Sequence, residues 1–169
     1  HIVSDGWSIN VLMAEIGALY VAYLQHQPSP FADLPIQYSH YAQWQRQRLQ
    51  GELLEGQLGY WTKLLDGAPS HIGLPTDRPR PAVQTDNGAR LPIEFSTALS
   101  ARLDRFSQDQ GLTLFMTLMA GYQILLSRYG GEEDLCVGIP VAGRRQQETE
   151  GLIGFFVNAL ITRTDLSGN

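Results

Sequence analysis

The chain opens with His1-Ile2-Val3-Ser4-Asp5-Gly6-Trp7-Ser8, a cassette of reactive residues placed directly before an apolar stretch. An imidazole has an ordinary pKa near ~6.5, so a histidine such as His1 can take or give a proton at neutral pH. An ionised Asp5 only accepts hydrogen bonds, and it can either orient the imidazole or hold the turn through an Arg elsewhere. Gly6 lets the backbone approach a substrate without a Cβ in the way. Taken alone, this spacing fits a reactive turn and a structural His–Asp pair equally well.

The residues after the cassette predict helices. Apolar side chains recur at intervals of three and four, which is typical of an amphipathic helix; they are Ile9, Leu12, Met13, Ile16, Leu19, Tyr20 and Tyr23. We expect Ser8 to be the N-cap of this helix and Pro28 to lie beyond its end. A second helical stretch is expected from Tyr38 to Leu65, broken near Gly51, with its aromatic residues forming a packed face.

Residues 66–86 contain four prolines and show no helical period, which predicts an extended linker. The pattern beyond it is α/β. We expect a strand at 91–95, a helix capped by Ser96 or Thr97, a deeply buried apolar helix from Thr113 to Gly130-Gly131, and a short helix at 150–153. Strands at 135–139 and 156–164 are expected to be covered on both faces.

Composition excludes several classes of function. The net charge is −5, the isoelectric point is about 5.3 and no basic stripe is present, which argues against nucleic-acid binding. No apolar run reaches ~18 residues without interruption, so no membrane span is predicted. The four histidines lack metal-ligand spacing, so we expect no metal site. The single Cys136 cannot form an internal disulfide and suits a reducing cytoplasm.

Four segments together resemble the condensation domains of nonribosomal peptide synthetases. The cassette matches the family motif H-H-x-x-x-D-G-W-S from its second histidine onward, and residues 153–163, IGFFVNALITR, match an I-G-x-F-V-N-T-L-like strand. Between them lie YSHYAQW at 38–44 and LPTDRPRP at 74–81. The resemblance covers essentially the whole chain in the family's motif order.

The resemblance implies a chloramphenicol-acetyltransferase-like fold of two α/β lobes, of the coenzyme-A-dependent acyltransferase superfamily. Residues 1–65 are expected to be the mostly helical end of the first lobe, 66–86 the linker, and 87–169 the start of the second lobe. Because the chain begins on the second histidine, we expect it to be a fragment cut inside a motif. As an isolated polypeptide it is expected to be inactive and poorly folded.

The activity that the resemblance implies is amide-bond formation. A carrier-bound acyl or peptidyl thioester is attacked by the amine of an aminoacyl group on a second carrier. No cofactor is expected to bind directly, since 4'-phosphopantetheine arms are carried by the partners. Those partners are upstream and downstream carrier domains and a neighbouring adenylation domain, in the cytoplasm, with no nucleic acid and no membrane.

The resemblance also assigns candidate site residues. His1 is expected to accept a hydrogen bond or a proton from the attacking amine, and Gly6 to offer its N–H to the oxyanion. Asp5 is expected to be chiefly structural, held by an Arg in the missing half of the domain. Trp7 and Asn158 are substrate-binding candidates. For Trp7 packing is the favoured reading, and for Asn158 a structural amide is equally open.

Subtype and alternatives follow from the same motifs. His1 and the Trp7-Ser8 pair favour condensation over heterocyclisation or epimerisation, and the spacer residues favour an L-configured donor joined to an L-amino acid. The alternatives are a coenzyme-A-dependent acyltransferase of the same superfamily and a non-catalytic module that docks carrier proteins.

Overall fold

The computed structural model describes residues 1–79 and 81–168. Its elements in chain order are the helices α1 (Gly6–Leu24), α2 (Tyr38–Arg48), α3 (Gly51–Leu65), α4 (Thr97–Asp109) and α5 (Leu114–Gly130), then strand β1 (Asp134–Val141), a 3-10 turn (Gln147–Thr149) and strand β2 (Asn158–Asp165). Arg80, within the predicted linker, and Asn169, at the end of the predicted second lobe, lie outside the described residues.

The chain divides into two compact units. One unit comprises His1–Asp66 and Gly138–Ile161, and the other comprises Gly67–Val137 and the residues from Thr162 onward. These units are not the same as the two lobes predicted from the sequence, which were 1–65 and 87–169 with a linker at 66–86. The boundaries of those lobes stay a prediction. The first unit contains the cassette and the IGFFVN segment, and it is where the candidate site lies.

In the first unit, α1 begins one turn earlier than the sequence suggested. Its N-cap is Asp5, whose extended backbone (φ −122°, ψ 179°) precedes the helix and whose side chain accepts a hydrogen bond from Ser8 N–H. Ser8 as N-cap was therefore wrong, because the carboxylate three residues earlier caps the helix and the Ser8 hydroxyl bonds elsewhere. The helix ends at Leu24, before Pro28, and His26 adopts a left-handed backbone (φ 55°) just beyond it.

Helix α1 is long and apolar enough to cross a membrane by length and composition alone, and no other helix in the described part of the chain is. Core helices of soluble proteins and signal sequences meet the same criterion. Helices α2 and α3 also belong to the first unit. The predicted break near Gly51 is confirmed, because α2 ends at Arg48 and α3 begins at Gly51.

In the second unit, local capping signals placed the helices correctly. The Ser96 side chain caps α4 by accepting from Leu99 N–H, and Thr113 caps α5 by accepting from Met116 N–H. Helix α5 ends at Gly130 and is followed by the C-cap Gly131, whose φ of 78° is the left-handed conformation that glycine adopts readily. The two helices are joined by a hydrogen bond of 2.7 Å between the hydroxyls of Ser107 and Thr117.

Two predictions for this unit were wrong. Residues 91–95 do not form a strand, and Leu91 and Ile93 are 87% and 79% exposed. A strand requires a neighbour to bond its backbone groups, and none of the described residues pairs with this segment. Helix α5 is not deeply buried either: Phe115, for example, is exposed, because no described element covers that face.

The two strands predicted from apolar runs are present and pair with each other. Leu166 N–H donates to the carbonyl of Glu133, and the Thr162 hydroxyl donates to the carbonyl of Val137, so the strands run antiparallel. Of the residues expected to be covered in these two segments, Leu135 and Phe156 are buried, and Phe156 lies just before β2 begins. In place of a helix at 150–153, the chain forms the 3-10 turn at Gln147–Thr149.

Candidate active site

The carboxylate of Asp5 is buried at the start of α1 and lies within hydrogen-bond distance of four donors. Its oxygens receive Ser8 N–H at 2.8 Å, the Ser8 hydroxyl at 2.7 Å, Phe156 N–H at 3.0 Å and Arg144 Nη2 at 3.2 Å. Burial by itself raises the pKa of this carboxyl, but these hydrogen bonds outweigh it and hold the pKa well below its ordinary range. Asp5 is therefore ionised at neutral pH and fully engaged.

The arginine that holds Asp5 is Arg144, and not a residue in the missing half of the domain as predicted. Its Nη1 donates to the carbonyls of Thr149 and of Leu152, the latter at 2.8 Å, while Nη2 reaches Asp5 and the Ser8 hydroxyl. The side chain is 1% exposed. The expectation was wrong because contact between residues 139 positions apart leaves no trace in local spacing. The sequence feature that could have indicated this pairing is the position of Arg144 directly after Gly143, in the turn that follows β1.

Gly143 explains how Arg144 reaches this position. Its φ of 71° is left-handed, and a Cβ built there would collide with the carbonyl oxygen of Phe156. Only glycine allows the chain to turn so closely against Phe156. The turn then places the Arg144 guanidinium 4.0 Å from the centre of the Phe156 ring, where a cation is attracted to the aromatic face.

The Ser8 hydroxyl is the centre of the polar network. It accepts from Arg144 Nη2 at 2.7 Å and from Gly154 N–H at 3.0 Å, and its proton can go to Asp5 or to the Gly154 carbonyl, each at 2.7 Å. A hydroxyl has one proton and two lone pairs, so this one is fully used. Ser8 is completely buried. It therefore binds the start of α1 to the segment that precedes β2.

The aromatic residues of α2 pack on that same segment. Tyr38 and Tyr41 lie with ring centres 5.1 and 4.7 Å from that of Phe156, and the Tyr38 hydroxyl donates to the Phe155 carbonyl at 2.8 Å. Gly154 lies directly against the Tyr38 ring, with no room for a Cβ. The packed aromatic face predicted for α2 is thus observed, and its partner is the IGFFVN segment.

His1 is exposed and lies beside this network. Its ring centre is 5.9 Å from that of Phe155, with the ring planes at 76°, an edge-to-face arrangement. In the described structure the Asp5 carboxylate bonds to Ser8, Phe156 and Arg144, and not to His1. Of the two roles open to Asp5, holding the turn is therefore the one that the geometry supports.

Gly6 and Trp7 are the first two residues of α1, where backbone N–H groups have no acceptor within the helix. The next two N–H groups, of Ser8 and Ile9, are bonded to Asp5. Within the described structure, the N–H groups of Gly6 and Trp7 therefore remain available. The Trp7 indole donates to the Glu150 carbonyl at 2.9 Å while 45% of the residue is exposed, so it packs on one side and faces solvent on the other.

Asn158 begins β2, two residues after Phe156, in the same compact unit as His1. It is exposed, and its Oδ1 accepts from Ala159 N–H at 2.9 Å. Part of its amide therefore serves the local backbone, which was one of the two readings left open. Among the described residues no cluster of His, Cys, Asp and Glu could hold a metal ion.

Comparison with known proteins decides the family. The chain matches the family described as Condensation domain over residues 1–169. It belongs to the condensation domain family. It is 54% identical to a linear gramicidin synthase protein of Brevibacillus parabrevis over 168 residues, which is 99% of this chain and 3% of that protein. It is 45% identical to malpinin synthetase of Mortierella alpina, over 99% of this chain and 2% of that protein. The chain therefore spans a small part of the curated relatives that it matches.

Solved structures agree with the family. The chain superposes on the X-domain in its complex with OxyB from teicoplanin biosynthesis with a TM-score of 0.88 and 29% identity, over 99% of this chain and 38% of that one. It superposes on the four-domain nonribosomal peptide synthetase holo-AB3403 with a TM-score of 0.82 and 29% identity, over 97% of this chain and 12% of that one. Its fold is thus part of the chloramphenicol-acetyltransferase-like α/β fold of condensation domains, and the predicted family and fold class are confirmed.

Proposed function

We propose that this condensation domain forms an amide bond between a carrier-bound acyl or peptidyl thioester and the amine of an aminoacyl group on a second carrier. The amine nitrogen attacks the thioester carbonyl, a C–N bond forms, the C–S bond breaks and the donor thiol is released. The amine loses one proton in the process. Since a thioester is already activated, the site needs chiefly to align the reactants, accept a proton and stabilise an oxyanion.

The observation that carries the proposal is the hydrogen bond from Phe156 N–H to Asp5. It joins the cassette to the IGFFVN segment, so that His1, Gly6 and Asn158 all lie within a few residues of one contact. Asp5 is fully engaged there, which leaves His1 as the exposed proton acceptor of the cassette. A carboxylate that only holds the turn, beside an imidazole that is exposed to substrate, suits a site in which His1 acts as the base.

In this proposal His1 accepts a hydrogen bond or a proton from the attacking amine. An α-amine with a pKa near ~8 is partly neutral at pH 7, so positioning and proton removal both contribute. The N–H groups of Gly6 and Trp7 stabilise the oxyanion, helped by the positive end of the α1 dipole. The exposed face of Trp7 and the amide of Asn158 contact the substrates.

The 4'-phosphopantetheine arms belong to upstream and downstream carrier domains and enter as part of the substrates. A neighbouring adenylation domain loads the acceptor carrier, and the assembly works in the cytoplasm without nucleic acid or membrane. The likeness to linear gramicidin synthase and to the four-domain synthetase supports this setting. We propose the subtype that joins an L-configured donor to an L-amino acid, on the spacer residues Ile2-Val3-Ser4 together with the strand motif at 153–163.

The test uses the full-length gene product with two carrier domains loaded with simple aminoacyl groups. Dipeptidyl carrier is measured by mass spectrometry for the wild type and for His1→Ala, with acyl-coenzyme A as an alternative donor. Product from the carrier pair, lost or slowed about 100-fold or more in His1→Ala, is the expected result. Product from acyl-coenzyme A alone would instead assign the chain to coenzyme-A-dependent acyltransferases.

A docking role is the second candidate, favoured by one comparison. The X-domain, which this chain resembles at a TM-score of 0.88, was solved in complex with OxyB. If the wild type gives no product from either donor, while loaded carriers still bind it, docking replaces catalysis as the function. Binding is measured on the same preparation by analytical size-exclusion chromatography.

A further inference from the structure

The backbone from Gly154 to Phe156 is held at three consecutive residues. Gly154 N–H donates to the Ser8 hydroxyl at 3.0 Å, the Phe155 carbonyl accepts from the Tyr38 hydroxyl at 2.8 Å, and Phe156 N–H donates to Asp5 at 3.0 Å. The groups that hold it come from the start of α1 and the start of α2. A segment fixed in this way directs its side chains from a rigid frame.

The middle residue of this segment uses the frame to contact His1. Phe155 is 39% exposed, so it does not fill the interior, and its ring meets the His1 ring edge-to-face with centres 5.9 Å apart. Among the described residues, Phe155 provides the ring contact of His1. An exposed imidazole on a chain segment ahead of a helix has rotational freedom that a fixed neighbouring ring restricts.

We propose that Phe155 is a positioning residue for His1, acting by edge-to-face contact from the clamped segment 154–156. This inference rests on the proposed function, in which His1 meets the attacking amine. Phe155 stands at the position that the motif I-G-x-F-V-N leaves unspecified. A phenyl ring beside the imidazole limits the orientations that the imidazole can adopt.

The experiment compares Phe155→Leu with Phe155→Tyr in the full-length gene product, using the carrier assay described above. Leucine retains apolar volume and loses the ring, whereas tyrosine retains the ring. We expect Phe155→Leu to lower kcat by about two- to tenfold with KM for both carriers unchanged. We expect Phe155→Tyr to keep the wild-type kcat, because the ring is retained. Phe106→Leu, an exposed phenylalanine of α4 in the other unit, is the matched control and should leave kcat unchanged.

A double-mutant cycle shows whether Phe155 acts through His1. In a His1→Ala background, Phe155→Leu should cause no further loss of residual product in single-turnover reactions, because the group that it positions is gone. Should the residual rate be too low to follow, the comparison of leucine with tyrosine decides alone. A kcat for Phe155→Leu equal to the wild type, equal losses with leucine and tyrosine, or additive losses in the cycle would each overturn the inference. Absence of product from the wild type would instead reject the proposed function itself.

Discussion

The guanidinium of Arg144 lies 3.2 Å from the carboxylate of Asp5, and the two side chains are 1% and 0% exposed. One residue follows the turn after β1 and the other caps α1, so this pair fastens the reactive cassette to the segment that leads into β2. Both charged groups are buried, and each is the only opposite charge that the described structure places on the other, although neutral groups also bond to both. A buried ion pair of this kind fixes geometry more dependably than it adds stability.

Replacing Arg144 with Met should therefore leave Asp5 buried without its counter-charge. We expect the free energy of unfolding to fall by ~3–5 kcal/mol, the usual cost of removing one partner of a buried pair. Urea denaturation of the purified condensation domain, followed by circular dichroism, measures this. Arg145→Met, at the exposed neighbouring position, is the control and should change the free energy by less than ~0.5 kcal/mol. Equal effects at both positions would contradict the ion-pair account.

Asp5 should also make the free energy of unfolding depend on pH, so that it decreases as the solution becomes more acidic. Its pKa is lower in the folded chain than the value of ~3.9 expected in the unfolded chain, so the unfolded chain binds more protons in acid. The contribution of Asp5 is complete above pH ~5 and is lost progressively as pH falls below ~4. The stability difference between wild type and Asp5→Asn should thus be largest at pH ~7 and narrow toward pH ~3. A difference that stays constant with pH would show that the charge of Asp5 is not responsible.

Local signals in the sequence were sufficient for the start of α4 and for both ends of α5, but not for the start of α1. Ser96, Thr113 and Gly131 each act within one turn of the helix that they begin or end, so their roles can be read from neighbouring residues. Residues 91–95 show the limit of this approach. Their alternation is typical of a strand, but a strand also requires a partner, and pairing is not a property of the segment itself.

The candidate site was predictable only in part for the same reason. The motifs proposed His1, Asp5, Gly6, Trp7 and Asn158, whose residue types suit the chemistry, and their roles stay predictions. They did not identify Arg144 as the partner of Asp5, because the two residues are brought together by the turn at Gly143. They also gave no indication that Ser8 would bond to Gly154 and Arg144 instead of capping α1.

Gly154 should not tolerate a side chain. A Cβ at this position would lie 2.6 Å from Tyr38 Cε2 and 3.0 Å from a carbon of the Phe156 ring. The Tyr38 ring is restrained because its hydroxyl is bonded to the Phe155 carbonyl, so we expect Gly154→Ala to lower the free energy of unfolding by ~1–3 kcal/mol. The measurement is again urea denaturation of the condensation domain.

The matched control for Gly154 is Gly59→Ala in α3, where nothing lies within 4 Å of an added Cβ. Alanine in a helix interior is favoured over glycine, so this change should raise the free energy of unfolding by about 0.5–1 kcal/mol. Opposite signs at the two glycines are the expected outcome. A stabilising or neutral Gly154→Ala would mean that Tyr38 can move away, and the close packing of α2 on this segment would not hold.

A comparison of Ser8→Ala with Ser107→Ala should distinguish an effect on the geometry of the site from an effect on the stability of the domain. Both serines are buried and hydrogen-bonded, but Ser107 joins α4 to α5 in the compact unit that does not contain the cassette. Each change should lower the free energy of unfolding by ~1–3 kcal/mol, because buried partners lose a hydrogen bond. Only Ser8→Ala releases Gly154 and Arg144 from the start of α1. Only this substitution should therefore lower kcat for peptide formation, by about tenfold, at temperatures where both variants are folded.

Two outcomes would contradict this prediction. If both variants retain the wild-type kcat, the network around Ser8 contributes to folding alone. If both lose it equally, the loss reflects general loosening of the domain and not the positioning of His1 and Gly6.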